Sequence, residues 1–334
     1  MDSRRIGILG AGSWGTALGM HLSRRGHRVR LWDIDEKHVA AVQADGCNER
    51  FLPGIEFPDR LDINADLEQV CQASQQLLIV TPSHAFVETL DRIRPWLSVE
   101  SGLAWATKGF EPGSARLLHE VAREALGNDL PLALISGPSF AREVAQGLPT
   151  AVTVAASTPD FGAAWAEWLH GDNFRAYYTA DLPGAELGGA LKNVLAVACG
   201  IADGLGLGGN TRAALITRGL AEMMRLGRAL GASPLTLTGL AGVGDLVLTC
   251  TGDLSRNRRL GLALAEGKSL ETAVEEIGQV VEAVRTAEEA MRLARRHHVE
   301  MPITEQVYGI LFEGWSPSKG VRVLMERELK SETE

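Results

Sequence analysis

The sequence predicts an α/β chain in two parts, an N-terminal doubly wound parallel sheet followed by an all-helical C-terminal domain. Three observations carry that expectation. Short β-rich runs alternate with helical patterns through the first half, as strands joined by crossover helices do. Those runs are apolar almost throughout, which suits strands covered on both faces. Near Pro183-Gly184 the pattern changes, and from Glu186 onward only helical segments broken by glycine remain. The two units are therefore drawn as residues 1–183 and 184–334. A chain of 334 residues is long enough for two sizeable cores.

The first element is a strand at 6–9 that runs directly into Gly10-Ala11-Gly12-Ser13-Trp14-Gly15 and then into the helix-forming residues 16–20. A second strand at 28–32 ends on Asp33, eighteen residues past Gly15. Glycines at this spacing let the backbone turn tightly and approach a pyrophosphate, whose charge then sits on a helix N-terminus. The acid after the second strand can accept hydrogen bonds from the adenosine ribose. Strand, helix, strand and acid together make the first half Rossmann-like, with Gly10, Gly12, Gly15 and Asp33 on a dinucleotide. The bland alternative is a glycine-rich turn that binds nothing.

Further strands are expected at 77–80, 103–106, 132–135, 151–155 and 174–178. Thr158-Pro159 predicts a capped helix start between the last two, with proline at the first helical position. Helices are expected at 186–202, 211–230, 258–266 and 280–298, and Ser316-Pro317 opens a final one. Ligands of open α/β sheets bind beyond the carboxyl ends of the strands. That directs attention to Thr81-Pro82-Ser83, Thr107-Lys108-Gly109 and Ser136-Gly137-Pro138-Ser139, in the cleft between the two domains.

A composition of 45% hydrophobic and 22% charged residues is ordinary for a globular chain. The net charge of −9 argues against nucleic acid as a partner. It does not exclude a small anion held by locally gathered basic residues. Cys47, Cys71, Cys199 and Cys250 are scattered, with no CxxC pair and no His/Cys cluster at metal spacing. They read as reduced thiols, and no metal is expected. Arg4-Arg5 before an apolar run resembles a signal peptide, but the glycine register and the continuation to Asp33 oppose that reading. No apolar run approaches the roughly 18 residues that cross a membrane, so a soluble, cytoplasmic protein is expected.

Few residues have the surroundings that chemistry needs. Lys108 follows its strand immediately and points an ammonium at the cleft, or is a solvated loop lysine. Lys192 lies on an apolar helix whose neighbours one turn away are Gly188, Gly189, Leu195 and Ala196. No carboxylate on that helix can pair with it. Desolvation lowers a lysine pKa, which suits proton transfer near neutrality; the alternative is a lysine snorkelling to the surface. Asp245 follows the glycine-rich turn 239–244, where it could orient a lysine, accept a substrate hydroxyl or cap the next helix. Ser255-Arg256-Asn257-Arg258-Arg259 packs donors for an anion into one segment, or is a basic helix start on a solvated face. None of the eight histidines sits in a motif with a nearby acid that would suggest a His-Asp dehydrogenase couple, and His297-His298 read as surface residues.

Taken in order and spacing, segments 10–15, 107–109, 136–139, 191–193, 240–245 and 255–259 resemble the bacterial NAD(P)-dependent sn-glycerol-3-phosphate dehydrogenase family, across nearly the whole chain. The resemblance implies reversible reduction of dihydroxyacetone phosphate to sn-glycerol 3-phosphate, feeding phospholipid synthesis, and a homodimer as a family-level expectation. It implies that Lys192 is the proton donor and acceptor, with Lys108 touching both cofactor and substrate. Gly137, Ser139, Asp245, Ser255, Arg256 and Asn257 would contact substrate. Ser13, Trp14, Ala141, Arg256, Val280 and Glu282 would contact NAD(H) or NADP(H). Members that favour NADPH often carry a basic residue where this chain has Ile34, and Asp33 would repel a 2′-phosphate. A rival dehydrogenase acting on a β-hydroxy acid would not need the 255–259 cluster in addition to two lysines. A dinucleotide sensor would have no use for a desolvated Lys192.

Overall fold

The computed structural model describes residues 3–98, 100–329 and 331. Its first half is one eight-stranded sheet. The strands are β1 (Arg5–Leu9), β2 (Arg28–Trp32), β3 (Leu61–Asn64), β4 (Gln76–Ile79), β5 (Leu103–Trp105), β6 (Leu132–Ser136), β7 (Thr150–Ala156) and β8 (Phe174–Thr179), in spatial order β3-β2-β1-β4-β5-β6-β7-β8. The order reverses between β1 and β4, which places a crevice at the carboxyl ends of those two strands. The connecting helices are α1 (Ser13–Arg24), α2 (Glu36–Asp45), α3 (Leu67–Ala73), α4 (Phe86–Ile93), α5 (Leu118–Leu126), α6 (Ala141–Ala145) and α7 (Pro159–Leu169).

Apolar runs form these strands because each must feed two cores. Along β6, Ala133 and Ile135 join the cluster that contains Leu18, Leu31 and Trp165, whereas Leu132 and Leu134 join that of Leu90, Phe86 and Trp105. The period of two sends alternate side chains to opposite faces, and both faces are covered.

The sheet departs from expectation in two places. It is not wholly parallel: β7 runs antiparallel to β6, pairing Ser136 with Thr153, and β8 follows β7 in parallel. Residues 137–149 contain a glycine-proline turn and the single-turn α6, so the chain returns at the end of the sheet it left. A parallel return needs a crossover to the opposite end. The sequence reading also has no counterpart for β3, a four-residue edge strand whose Asp62 and Asn64 conceal its alternation. Helix α7 begins at Pro159 as expected, but the Thr158 hydroxyl makes no capping bond.

The second half is helical among the described residues. It comprises α8 (Leu182–Gly204), α9 (Gly208–Ala229), α10 (Pro234–Leu237), α11 (Asp245–Thr251), α12 (Arg256–Ala265), α13 (Leu270–Ile277), α14 (Glu282–Arg296), α15 (Pro302–Phe312) and α16 (Pro317–Met325). Helix α8 is the axis of this half. Asp181 caps it through Gly184 N and also accepts from Ser233 N, which ties the starts of α8 and α10 together. Contrary to the sequence reading, α8 is long and apolar enough to cross a membrane, yet its 18-residue apolar window is wholly buried within the fold. Leucines such as Leu187, Leu191 and Leu195 each contribute about 1.5–3 kcal/mol by that burial.

Two glycines let backbones close on α8. A Cβ added to Gly188 would stand 2.2 Å from Ala241 O, and one on Gly200 would stand 2.1 Å from Arg258 O. The segment expected as a flexible turn is instead a π-helical turn, Leu240–Gly244, running straight into α11. Its carbonyl at Ala241 faces Gly188, and four residues further along both elements Asp245 faces Lys192.

Candidate active site

The carboxyl ends of β4 and β5 are held together by Thr107, whose hydroxyl donates to Thr81 O at 2.7 Å. Lys108 follows and reaches across to the helical half. Its Nζ donates to Asp245 Oδ2 at 2.7 Å and to Gly137 O at 3.3 Å. Lys192 Nζ donates to the other oxygen of the same carboxylate, Asp245 Oδ1, at 2.5 Å. Asp245 is 1% exposed, and as the first residue of α11 it serves the two lysines instead of capping the helix.

Two ammoniums on one buried carboxylate leave the cluster with a net positive charge. Burial pushes the Asp245 carboxyl up, but Lys108 and then Lys192 outweigh it and hold it below its ordinary range, so it is ionised. Burial lowers Lys192 to about 7; Asp245 opposes that shift and Lys108 adds to it. A carbonyl oxygen reaching Lys192 from the cleft would meet a group able to give up or take back a proton near neutrality. Thr249, one turn along α11, donates to Asp245 O at 2.6 Å and fixes the local helix.

A cavity of about 740 Å³ runs from these lysines along the sheet ends to the glycine loop. The residues there fit a dinucleotide. Gly12 is the N-cap of α1 and offers no capping side chain, and a Cβ on it would meet nothing within 4 Å, so a phosphate has room at the helix N-terminus. A Cβ on Gly15 would fall 1.9 Å from Gly10 O, so Gly15 closes the loop from behind and does not line the cavity. The buried indole Nε1 of Trp14, on the cavity wall, has no protein partner. Asp33 stands at the β2 end, its two oxygens accepting from Ala11 N and Asp35 N at 3.0 Å each.

Of the other residues singled out from the sequence, Gly10, Ser13, Ser139, Ala141, Asn193, Ser255, Arg256, Asn257, Val280 and Glu282 line the same cavity. Gly137 and Asp245 are not on the cavity wall: Gly137 O accepts from Lys108, and the Asp245 carboxylate accepts from both lysines. Arg256 opens α12 and donates to Gln279 Oε1 at 3.2 Å, and burial lowers its pKa. Among the described residues it forms no ion pair, so the rest of its fork is open to an anion. Arg258 behaves otherwise: it turns away to Asp203 at 2.7 Å and Asp253 at 2.9 Å, so it belongs to the structure of the helical half and not to the anion cluster. Ser255 caps α12 through Arg258 N. Asn257 bridges Asn193 Oδ1 and Ala283 N. Burial raises the pKa of Glu282, which accepts from the Ser83 hydroxyl at 2.9 Å.

Thr249, Arg50, Phe51 and Arg92 also line the cavity. No local pattern in the sequence distinguishes them; they arrive from loops and helix faces that only the tertiary fold brings to the sheet ends.

Comparison with known proteins gives a consistent result. Residues 5–162 match the model for the NAD-dependent glycerol-3-phosphate dehydrogenase N-terminus, and residues 181–322 match that for its C-terminus. A relative from Stenotrophomonas maltophilia (strain R551-3), named glycerol-3-phosphate dehydrogenase [NAD(P)+], is 58% identical over 328 residues, spanning 98% of this chain and 96% of its own. One of the same name from Xanthomonas campestris pv. campestris (strain B100) is 55% identical over 330 residues, spanning 99% and 97%. The crystal structure of glycerol-3-phosphate dehydrogenase from Coxiella burnetii superposes with a TM-score of 0.94 at 50% identity, covering 97% of this chain and 99% of that one.

Proposed function

The chain belongs to the NAD-dependent glycerol-3-phosphate dehydrogenase family, and from that premise we propose how its residues carry the reaction. It is an oxidoreductase that interconverts dihydroxyacetone phosphate and sn-glycerol 3-phosphate with NAD(H) or NADP(H). When bound, the reduced nicotinamide supplies the hydride. Lys192 holds the ketone oxygen and gives it the proton, taking it back in the reverse direction. Lys108 stands beside it and adds positive charge where the oxygen becomes negative. Asp245 fixes both lysines and keeps the cluster from carrying two uncompensated charges.

Arg256, with Ser139, Ser255 and Asn257, receives the substrate phosphate, which supplies binding energy remote from the reacting carbon. Gly10, Gly12, Ser13 and Trp14 would hold the dinucleotide, with Asp33 for its ribose and Ala141, Val280 and Glu282 as further contacts. The observation that carries this reading is the single Asp245 carboxylate shared by Lys108 and Lys192, buried behind the two lysines that line the cavity. Following NADH absorbance with dihydroxyacetone phosphate, and with carboxylate ketones as controls, tests it. No oxidation with the phosphate ketone would overturn it.

We also infer two units, 1–183 and 184–334, meeting at the cavity. The free state of all four cysteines supports a cytoplasmic setting, and the reaction suits glycerophospholipid synthesis. A homodimer is the assembly that the family resemblance implies.

A further inference from the structure

At the adenosine end of the cavity stands a cation that the hydride-transfer site does not engage. Arg50 lies on the loop after α2 and shares the cavity wall with Asp33, Ile34 and Asp35. Its Nη1 is 3.2 Å from Asp35 Oδ2, and its guanidinium lies 5.0 Å from the centroid of the Phe51 ring. The side chain is 61% exposed. An exposed pair of this kind is weak, so the guanidinium can be redirected at little cost. Asp35 would keep its other task, capping α2 through Lys37 N and His38 N.

A dinucleotide with its pyrophosphate on the N-terminus of α1 sets its adenosine ribose beside the end of β2, the segment that Arg50 faces. The carboxylate there is not wholly free: both oxygens of Asp33 already accept backbone N–H groups. Ile34 is 67% exposed and brings no charge. Arg142 and Arg259 also line the cavity, but from α6 and α12 and not from the loops beside β2. Arg92 stacks on Trp32 from α4, Arg256 sits at Gln279, and Lys37 is not on the cavity wall. A planar guanidinium can grip two oxygens of a phosphate.

We propose that Arg50 is the specificity-determining residue at the ribose 2′ position, leaving Asp35 to bind the 2′-phosphate of NADP(H) and standing idle over NAD(H). Asp33 and Ile34 favour the unphosphorylated cofactor, and Arg50 keeps the phosphorylated one usable. The proposal rests on the dinucleotide reading of the cavity, and the test separates the two.

The test is calorimetric titration of the full-length protein with 2′,5′-ADP and with 5′-ADP, in wild type, Arg50→Ala and Arg50→Lys. Both nucleotides should bind wild type. Arg50→Ala should weaken 2′,5′-ADP by about tenfold or more, the effect of losing a charged hydrogen bond. It should leave 5′-ADP within about twofold, and Arg50→Lys should recover part of the loss. Unchanged melting temperatures would accompany these shifts, since Arg50 is exposed. Equal weakening of both nucleotides, or of neither, overturns the proposal. If 5′-ADP binds wild type and 2′,5′-ADP does not, the Arg50 assignment alone fails. If neither binds, the dinucleotide reading fails and takes the assignment with it.

Discussion

Lys108 Nζ and Asp245 Oδ2 lie 2.7 Å apart across the junction of the two halves, although 137 residues separate them in the chain. The contact joins a lysine at a strand end to a carboxylate at a helix start. Together with Lys192 it makes the reacting end of the cavity a three-residue unit drawn from both halves.

Removing the charge at Lys192 should stop the chemistry without emptying the cofactor site. Lys192→Met keeps length and apolar character, so the protein should fold and titrate with NADH much as wild type does. The kcat for ketone reduction should fall by about 10²–10⁴-fold, the range typical of losing a general acid, and saturating substrate should not restore it. Retention of more than about a tenth of wild-type kcat would transfer the proton to Lys108.

The pH profile should run in opposite senses for the two directions. Reduction needs Lys192 protonated, so kcat/KM for dihydroxyacetone phosphate should fall as pH rises through about 7. Oxidation needs it neutral, so kcat/KM for glycerol 3-phosphate should rise over the same window. Initial rates between pH 5.5 and 9 in both directions check this. Parallel profiles would show that another group titrates.

Arg256→Ala should raise KM for dihydroxyacetone phosphate far more than it lowers the melting temperature, because among the described residues Arg256 has no ion-pair partner to lose. The loss in kcat/KM should be about one to two decades, equivalent to about 1.5–3 kcal/mol. Early melting with unchanged kinetics would assign the residue to stability.

NADH should be used at least as well as NADPH, since Asp33 and Ile34 border the ribose. Comparing kcat/KM for the two cofactors measures it. A tenfold preference for NADPH would mean that Arg50 outweighs them both.

A different pair makes stability depend on pH. His119 Nδ1 lies 2.5 Å from Glu186 Oε2, and His119 N donates to Glu186 Oε1 at 2.9 Å. Burial pulls the imidazole down, but Glu186 outweighs it and holds His119 above its ordinary 6.5. Burial raises Glu186 as well, despite its bonds to His119. A raised folded-state pKa means stability that is complete below the unfolded value and lost as pH rises through the folded one. Glu186→Gln should therefore melt earlier than wild type, with the gap widest near pH 6 and narrowing above it. A gap independent of pH would reduce the pair to neutral hydrogen bonds.

Much of this was legible in the chain because its signals are local. The glycine loop with Asp33, and the apolar strands, declare themselves within short windows. The lysine at 192 stood out because nothing on its own helix could pair with it, and Asp245 proved to be the missing partner. What escaped was set by the tertiary fold. The antiparallel turn into β7 depends on where a thirteen-residue link ends, not on its composition. The edge strand β3 is too short and polar to show a period. Arg258 looked like Arg256 in sequence, yet Asp203 on α8 draws it out of the cavity.

Helix α8 behaves like a keyed shaft. Ala241 O seats against it at Gly188 and Arg258 O at Gly200, and Lys192 lies between those two keys. Sliding or turning the helix would drive a carbonyl into its backbone, so the ammonium has little axial or angular play. Misplacement of a reacting group by about 1 Å can cost about a hundredfold in rate. The aim of the proton donor is thus set in part by side chains that are not there, and a methyl group at either glycine should detune it without touching a single polar atom of the site.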